Sequence, residues 1–395
     1  MGLHYGKLDK PSHSIYRQVV FFILHSLVMK ILFSIGSLNG GGMERVMSVL
    51  ATQLAERGHD IIICLNRNIV GYPIRDKVKL IYSTNSNQAD KYGKIGRLFC
   101  HIYNKFLYDY QNVRSMHSIK PDVVVTFMNC VPALALFRGK IPVIDSERNC
   151  LDRNDQSFRD WYSRHLFYPL LTHIVLQTRH DKVFARWLHR KTVIPNPLSF
   201  IPLSYNEYVE SFKERKNILA CGRLDEPVKG FDGLICAFAM VIRNHPGWVL
   251  DIAGSGSDKN LEYLKSIASQ NGVENSVRFL GHCRDVKQEM ANHSIFVLSS
   301  KREGFPNVLT EAMAMGCACV AYDCVTGPGE IIVDSIDGLL VDNQNINEMA
   351  KSLSFLMDNP ELRYKLGLRA IEDVKRFSPD KIVRKWEELF KSVIG

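Results

Sequence analysis

Glu303-Gly-Phe-Pro-Asn-Val-Leu-Thr-Glu311, followed by Ala312-Met-Ala-Met-Gly316, is the stretch around which the chain is read. Just upstream, Ser294-Ile-Phe-Val-Leu-Ser299 is an apolar run of the kind that forms a buried parallel strand. Pro306, then Val308, Leu309, Ala312 and Met315 at helical spacing, predict an amphipathic helix that Gly316 closes. The unit is a strand, a tight turn and a helix start. The first N–H groups of such a helix lack intrahelical partners and carry the positive end of its dipole, so an anion can rest there. Glu303 in the turn and Glu311 about one turn inside the helix bracket that position, and each carboxylate can accept hydrogen bonds from ligand hydroxyls. A solvated helix with surface carboxylates would give the same spacing, so the reading needs support from elsewhere in the chain.

The second half repeats the pattern. Asn217-Ile-Leu-Ala-Cys221 is a strand, Gly222-Arg-Leu-Asp-Glu-Pro-Val-Lys-Gly230 a loop, and Leu234, Ala237, Phe238 and Val241 mark the helix after it. Arg223 and Lys229, held between Gly222 and Gly230, are suited to neutralising a diphosphate: arginine grips two oxygens at once and lysine acts as a point charge. Further strands are expected at 248–253, 277–281, 319–322 and 338–341.

In the first half, Met29-Lys-Ile-Leu-Phe-Ser-Ile35 reads as a strand running into the glycine-rich loop Gly36–Gly42. Gly40-Gly-Gly-Met-Glu-Arg45 then opens a helix with Val46, Val49, Leu50 and Leu54 on its apolar face and Gly58 as its left-handed cap. This strand, loop, helix and the strand 61–65 form a βαβ unit with an anion-suited loop containing Gly41 and Gly42; it lacks the G-x-G-x-x-G dinucleotide fingerprint. Strands are also expected at 121–127, 141–145 and 172–178. The polar cluster Ser146-Glu147-Arg148-Asn149 is expected to face a cleft, and Val193-Ile-Pro-Asn-Pro197 reads as an interdomain linker.

The 395 residues, 46% hydrophobic and 23% charged, suit a globular chain of two or three domains. Charge is uneven: residues 1–200 hold 27 Lys and Arg against 14 Asp and Glu, a balance of +13, whereas residues 201–395 are at −4. A basic half points to an anionic membrane surface or nucleic acid, and the absence of zinc-finger spacing, RNP-like segments and basic heptads argues against nucleic acid. Basic and aromatic residues mix between Lys91 and Tyr110, as on a helix resting on lipid headgroups or as in an ordinary core-facing helix. Ten scattered cysteines with no C-x-x-C pair read as buried thiols in a reducing, cytoplasmic setting. The apolar run 19–35 is interrupted by His25 and Lys30 and falls short of the ~20 residues a bilayer core requires. It is read as the first strand with a preceding extension, 1–28, and translation from either Met1 or Met29 fits.

Taken in order, G-G-x-E-R at 41–45, G-R-L with K-G at 222–230, and E-x7-E at 303–311 resemble the motifs of the retaining glycosyltransferases of family 4, which have the GT-B fold, in particular members that build bacterial surface polysaccharides. The resemblance covers about residues 29–390. It implies an α/β protein with two doubly wound, Rossmann-like domains facing each other across a cleft: an acceptor-side domain at 29–197, a nucleotide-sugar domain at 198–378, and a terminal helix at 379–395 returning to the first domain. It implies transfer of a hexose or N-acetylhexosamine, with UDP the expected carrier, to a hydroxyl of a lipid-linked or glycan acceptor. Arg223 and Lys229 would bind the leaving diphosphate with helix amides near Asn307, Val308 and Leu309. Glu311 would hold the ribose, and Glu303 the donor-sugar hydroxyls. Gly41, Gly42, Gly222, His282, Gly304 and Phe305 would complete the donor side. Glu44, Asn129, Glu147, Arg148 and Asn149 fall on the acceptor side, Asn129 standing near where the family commonly has a histidine. No D-x-D occurs, so no metal and no cofactor are expected. The expected partners are a nucleotide-sugar donor, a lipid-linked saccharide acceptor and an anionic membrane surface on the cytoplasmic side, with no nucleic acid. A nucleotide-sugar 2-epimerase or a non-catalytic sugar-binding protein of the same fold would share these motifs.

Overall fold

The computed structural model describes residues 28–82, 109–127, 131–152, 158–225, 227–283 and 285–395. Their strands form two sheets. The first contains β1 (Lys30–Ile35), β2 (Asp60–Leu65), β3 (Val78–Tyr82), β4 (Val123–Thr126), β5 (Val143–Ser146), β6 (His173–Leu176) and β7 (Lys191–Val193), in the spatial order β3-β2-β1-β4-β5-β6-β7. The second contains β8 (Lys216–Cys221), β9 (Leu250–Ala253), β10 (Val277–Gly281), β11 (His293–Leu298), β12 (Ala318–Asp323) and β13 (Leu339–Asp342), in the order β10-β9-β8-β11-β12-β13. Every pairing is parallel. Parallel sheets are covered by helices on both faces, which is why the central strands are apolar throughout instead of alternating.

Each sheet has two core layers. In the first, Phe33, Ile63 and Val125 point to one face, Leu32, Cys64 and Val124 to the other. In the second, Ile218, Ile295 and Val320 face Phe238 and Leu353, while Leu219, Phe296 and Cys319 face Leu309 and Met313. Burial pushes the Cys317 thiol up to about 12, so it sits in this core as a neutral hydrophobe. The last helix, Pro379–Ile394, places Ile382, Trp386 and Phe390 in the core of the first sheet. It is anchored there by Arg57, whose Nη1 lies 2.9 Å from Glu387, and by His59 Nε2 at 3.1 Å from the same carboxylate.

The strand orders position the site. In each sheet the order reverses beside the first strand, between β1 and β4 and between β8 and β11. Chains leaving neighbouring strand ends there diverge to opposite faces and open a crevice. The glycine-rich loop after β1, the loop after β8 and the signature turn after β11 all leave from these crevices. The expected strands at 29–35, 61–65, 121–127, 141–145, 172–178, 217–221 and 277–281 are present within two residues at either end. The sequence reading did not assign β3 or β7. Both are edge strands, and β7 has no buried residue, so neither shows an apolar run. The stretch 1–27, the basic aromatic residues 91–108 and Asn129 lie outside the described residues. Among the described residues no helix is long and apolar enough to cross a membrane.

Candidate active site

The signature helix is Asn307–Ala314, with Pro306 at its N-cap and no side chain capping it, and Gly316 leaves it at φ +72°. Its first amides are therefore directed outward. The Leu309 amide is already given to Pro306 O at 3.0 Å, so Asn307 and Val308, not Leu309, present the helix-start donors. Phe305 and Leu309 turn their side chains into the core, Phe305 edge-to-face on Phe377 at 5.3 Å, so only their backbones border the crevice. The expected amide donors at this helix start are thereby narrowed to Asn307 and Val308.

Lys229 reaches this turn from the loop after β8. Its Nζ lies 2.8 Å from Glu303 Oε1, both side chains being mostly buried. The loop is fixed to the end of β11: Ser299 Oγ donates to Lys229 O at 2.8 Å and the Lys301 amide to Val228 O at 2.8 Å. Gly230 follows at φ +65°, and a Cβ there would sit 2.2 Å from Ser299 O, so only glycine lets the two backbones approach. Gly254 makes the neighbouring closure in the same way, since its Cβ would lie 1.8 Å from Gly222 O. Arg223 is exposed one residue beyond Gly222, and His282 is exposed just after Gly281, whose carbonyl accepts from the Gly254 amide at 2.8 Å. Lys229, a helix start and Glu303 thus gather at one strand-end crevice of the second domain, with Arg223 on the same loop as Lys229.

The first domain closes over that crevice. Arg45, in the first turn of the helix Gly42–Glu56, places Nη1 2.5 Å from Glu311 Oε1. Burial works against the charged Arg45 guanidinium, but the Glu311 carboxylate and Tyr72 outweigh it and raise its pKa. Glu311 itself is 2% exposed. Asn307 bridges the domains with both ends of its amide, accepting from Asn196 Nδ2 at 2.7 Å and donating to Gly42 O at 3.1 Å. Gly41 is the N-cap of the first-domain helix, and the Glu44 carboxylate folds back over it at that positive helix end. At Gly304 the two backbones also come close, since a Cβ there would lie within 2.9 Å of Arg148 O. Arg45 was not among the predicted site residues; its only sequence signal was its place in G-G-x-E-R.

The acceptor-side cluster differs from expectation. Glu147 does not face the cleft; it is 1% exposed and binds Arg164 Nε at 2.9 Å, Tyr168 OH at 2.8 Å and the amides of Arg148 and Asn149 at 3.1 and 3.0 Å. A buried carboxylate needs such a set of donors, and here it fixes the loop after β5. Arg148 lies with its guanidinium 3.9 Å from the Phe127 ring centre and donates to Asn196 Oδ1, and burial lowers its pKa to about 9. It is therefore held in the seam between the domains, beside Gly304, and Asn149 stands at the same bend. Among the described residues no three His, Cys, Asp or Glu side chains converge as a metal site. A separate, mostly apolar cavity of about 770 Å³ lies beside the linker between Val49, Ile74 and Phe200, away from Glu303 and Lys229.

Comparison with known proteins agrees with this fold. Over 92% of the chain the structure superposes on the whole of an Anabaena protein, HepE, solved with UDP and glucose, with a TM-score of 0.73 at 19% identity. The fold is GT-B. Residues 206–373 match the family model described as glycosyl transferases group 1. The chain is 28% identical over 93% of its length, and 99% of the relative's, to a Campylobacter jejuni α-1,4-N-acetyl-D-galactosaminyltransferase named for a GalNAc-containing, PP-undecaprenol-linked saccharide. It is 33% identical over 73% of its length to an exopolysaccharide phosphotransferase of Streptomyces coelicolor, of which it spans 30%. The chain therefore has the GT-B fold, and residues 206–373 are similar to the group 1 glycosyl transferases.

Proposed function

We propose that this chain moves a hexose or N-acetylhexosamine from a nucleoside diphosphate sugar, UDP-linked, to a hydroxyl of a lipid-linked or glycan acceptor in the building of a bacterial surface polysaccharide, with the anomeric configuration retained. The observation that carries the reading is the Lys229–Glu303 pair set against the start of the helix 307–314. A diphosphate resting there meets Lys229, Arg223 and the Asn307 and Val308 amides, carried on a loop and a helix start that are in place before the reaction. They stabilise the charge that develops on the leaving diphosphate, which is why no divalent cation is invoked. Glu303, once its partner turns to phosphate, accepts from donor-sugar hydroxyls close to the anomeric carbon. Glu311 exchanges Arg45 for the ribose hydroxyls. No carboxylate nucleophile is assigned, and retention is ascribed to attack by the acceptor hydroxyl on the face the diphosphate leaves. The PP-undecaprenol in the name of the Campylobacter relative supports an acceptor carried on a lipid diphosphate.

The test is transfer from a UDP-sugar panel to a water-soluble glycoside acceptor, with the product anomer assigned by NMR and EDTA present in a parallel reaction. An α-linked product from an α-linked donor, at an unchanged rate in EDTA, is expected. An inverted product or loss of rate in EDTA would remove the corresponding part of the mechanism. Donor consumed with no acceptor added would favour a 2-epimerase.

A further inference from the structure

A surface of the first domain carries the chemistry of lipid contact. Helices Val131–Phe137 and Phe158–Phe167 pack on each other and on the turn Tyr168–Leu170. At their junction Leu136 and Phe137 are each 59% exposed, and Trp161, Leu166 and Leu170 also stand open to solvent. Arg138 ties the group together, its Nε donating to Leu170 O at 3.2 Å. Trp161 stacks on His165 at 4.4 Å, and His165 on Trp187 at 4.2 Å. That stack joins the patch to the helix Arg179–Phe184, which adds exposed Val183 and Phe184. Large apolar side chains left in water on adjoining elements mark an interaction surface.

Charge says what covers it. From Phe158, where the second helix starts, to Lys191 the charged residues are Arg159, Asp160, Arg164, Arg179, Asp181, Lys182, Arg186, Arg190 and Lys191, seven cations against two acids. Of the acids, Asp181 is buried, accepting from the Leu151 amide at 2.8 Å and Thr178 Oγ1 at 2.6 Å, and the neighbouring Asp152 pairs with His180 at 3.1 Å. Arg179, Lys182, Arg186 and Arg190 are exposed, as is Lys140 on the neighbouring bend. Solvent therefore meets an aromatic and aliphatic surface rimmed by cations. Aromatic rings favour the headgroup boundary, and each Lys or Arg near an anionic leaflet contributes about 1 kcal/mol.

We propose that this face docks the protein on an anionic phospholipid leaflet. The placement rests on the proposed function for its purpose: the helix 179–184 starts at the interdomain cleft, where the His180 amide donates to Glu330 of the second domain at 3.0 Å. Docking here holds the mouth of the cleft at the height where a lipid-linked acceptor presents its first sugars.

The test is co-sedimentation of the full chain with vesicles of phosphatidylglycerol and phosphatidylethanolamine, and with pure phosphatidylcholine. Binding to the anionic vesicles should be about tenfold tighter or more, and should weaken with salt. The triple variant Leu136→Ser, Phe137→Ser, Trp161→Ser and the charge-reversed pair Lys182→Glu, Arg186→Glu should each lose it about tenfold, with thermal unfolding and transfer to the water-soluble acceptor unchanged. Equal binding to phosphatidylcholine, or both variants sedimenting like the parent chain, would overturn the proposal. So would loss of soluble-acceptor transfer in both variants, since the face would then belong to the reaction. Vesicle binding is read without any sugar donor, so failure of the glycosyltransferase reading would leave this result standing, and the reverse.

Discussion

Replacing Lys229 with Ala should lower turnover about a hundred- to a thousandfold while leaving the unfolding midpoint nearly unchanged. The magnitude is that of removing one preorganised electrostatic contact to charge that develops only in the transition state. Lys229 qualifies because the loop that carries it is held in place without the ligand. Its carbonyl is held by Ser299, Gly230 at φ +65° closes the loop on β11, and its Nζ already sits 2.8 Å from Glu303. Stability is spared because the side chain lies at the crevice wall and belongs to none of the core layers. Loss of the lysine also frees Glu303, so Lys229→Arg, which keeps the charge at a different reach, should recover only part of the rate. Initial rates at saturating donor decide it: a Lys229→Ala variant within threefold of the parent would exclude Lys229 from the reaction.

Glu147→Ala should cost about 3–5 kcal/mol of folding stability, the usual penalty for stranding one member of a buried ion pair. Arg164 depends on this carboxylate: burial alone would lower the guanidinium's pKa, and Glu147 outweighs that and raises it. Tyr168 is held the other way, burial first and then the neighbouring Asp145 and Glu147 carboxylates keeping its hydroxyl protonated and donating. Removing the carboxylate leaves a buried cation, a buried hydroxyl and two loop amides without their acceptor. Glu147→Gln, which keeps acceptor capacity but not charge, should lose less. Urea unfolding followed by circular dichroism measures both; a change below about 1 kcal/mol for the alanine variant would show that water replaces Glu147 and that the loop after β5 is more open than its packing indicates.

The contrast between these two residues shows what the sequence made legible. Lys229 was readable because a strand, two flanking glycines and a following apolar helix leave few places for a cation to go. The same logic found Glu303 and Glu311, whose helix start and Gly316 cap are local features. Glu147 was misread because local sequence does not state burial: S-E-R-N looks like a solvated bend until Arg164 and Tyr168, 17 and 21 residues on, arrive to satisfy it. Arg45 was missed for a related reason. Its partner, Glu311, lies 266 residues away in the other domain, and no periodicity links the two. Phe305 sits inside the signature turn, yet an aromatic ring there was free to face ligand or core, and the facing Phe377 decided for the core. The fold came through more completely than the site because parallel strands announce themselves as apolar runs, and only the half-exposed edges β3 and β7 do not.

The crevice between Lys229, Glu303 and the start of the helix 307–314 is the proposed nucleotide-sugar site. Calorimetric titration with UDP, GDP and ADP, repeated on Glu311→Ala, tests it most directly. Selective binding of UDP by the parent chain, weakened at least tenfold in Glu311→Ala through loss of about 1.4 kcal/mol or more of ribose contact, is the expected result. Binding of UDP that is indifferent to Glu311→Ala, or no binding of any of the three nucleotides, would contradict it.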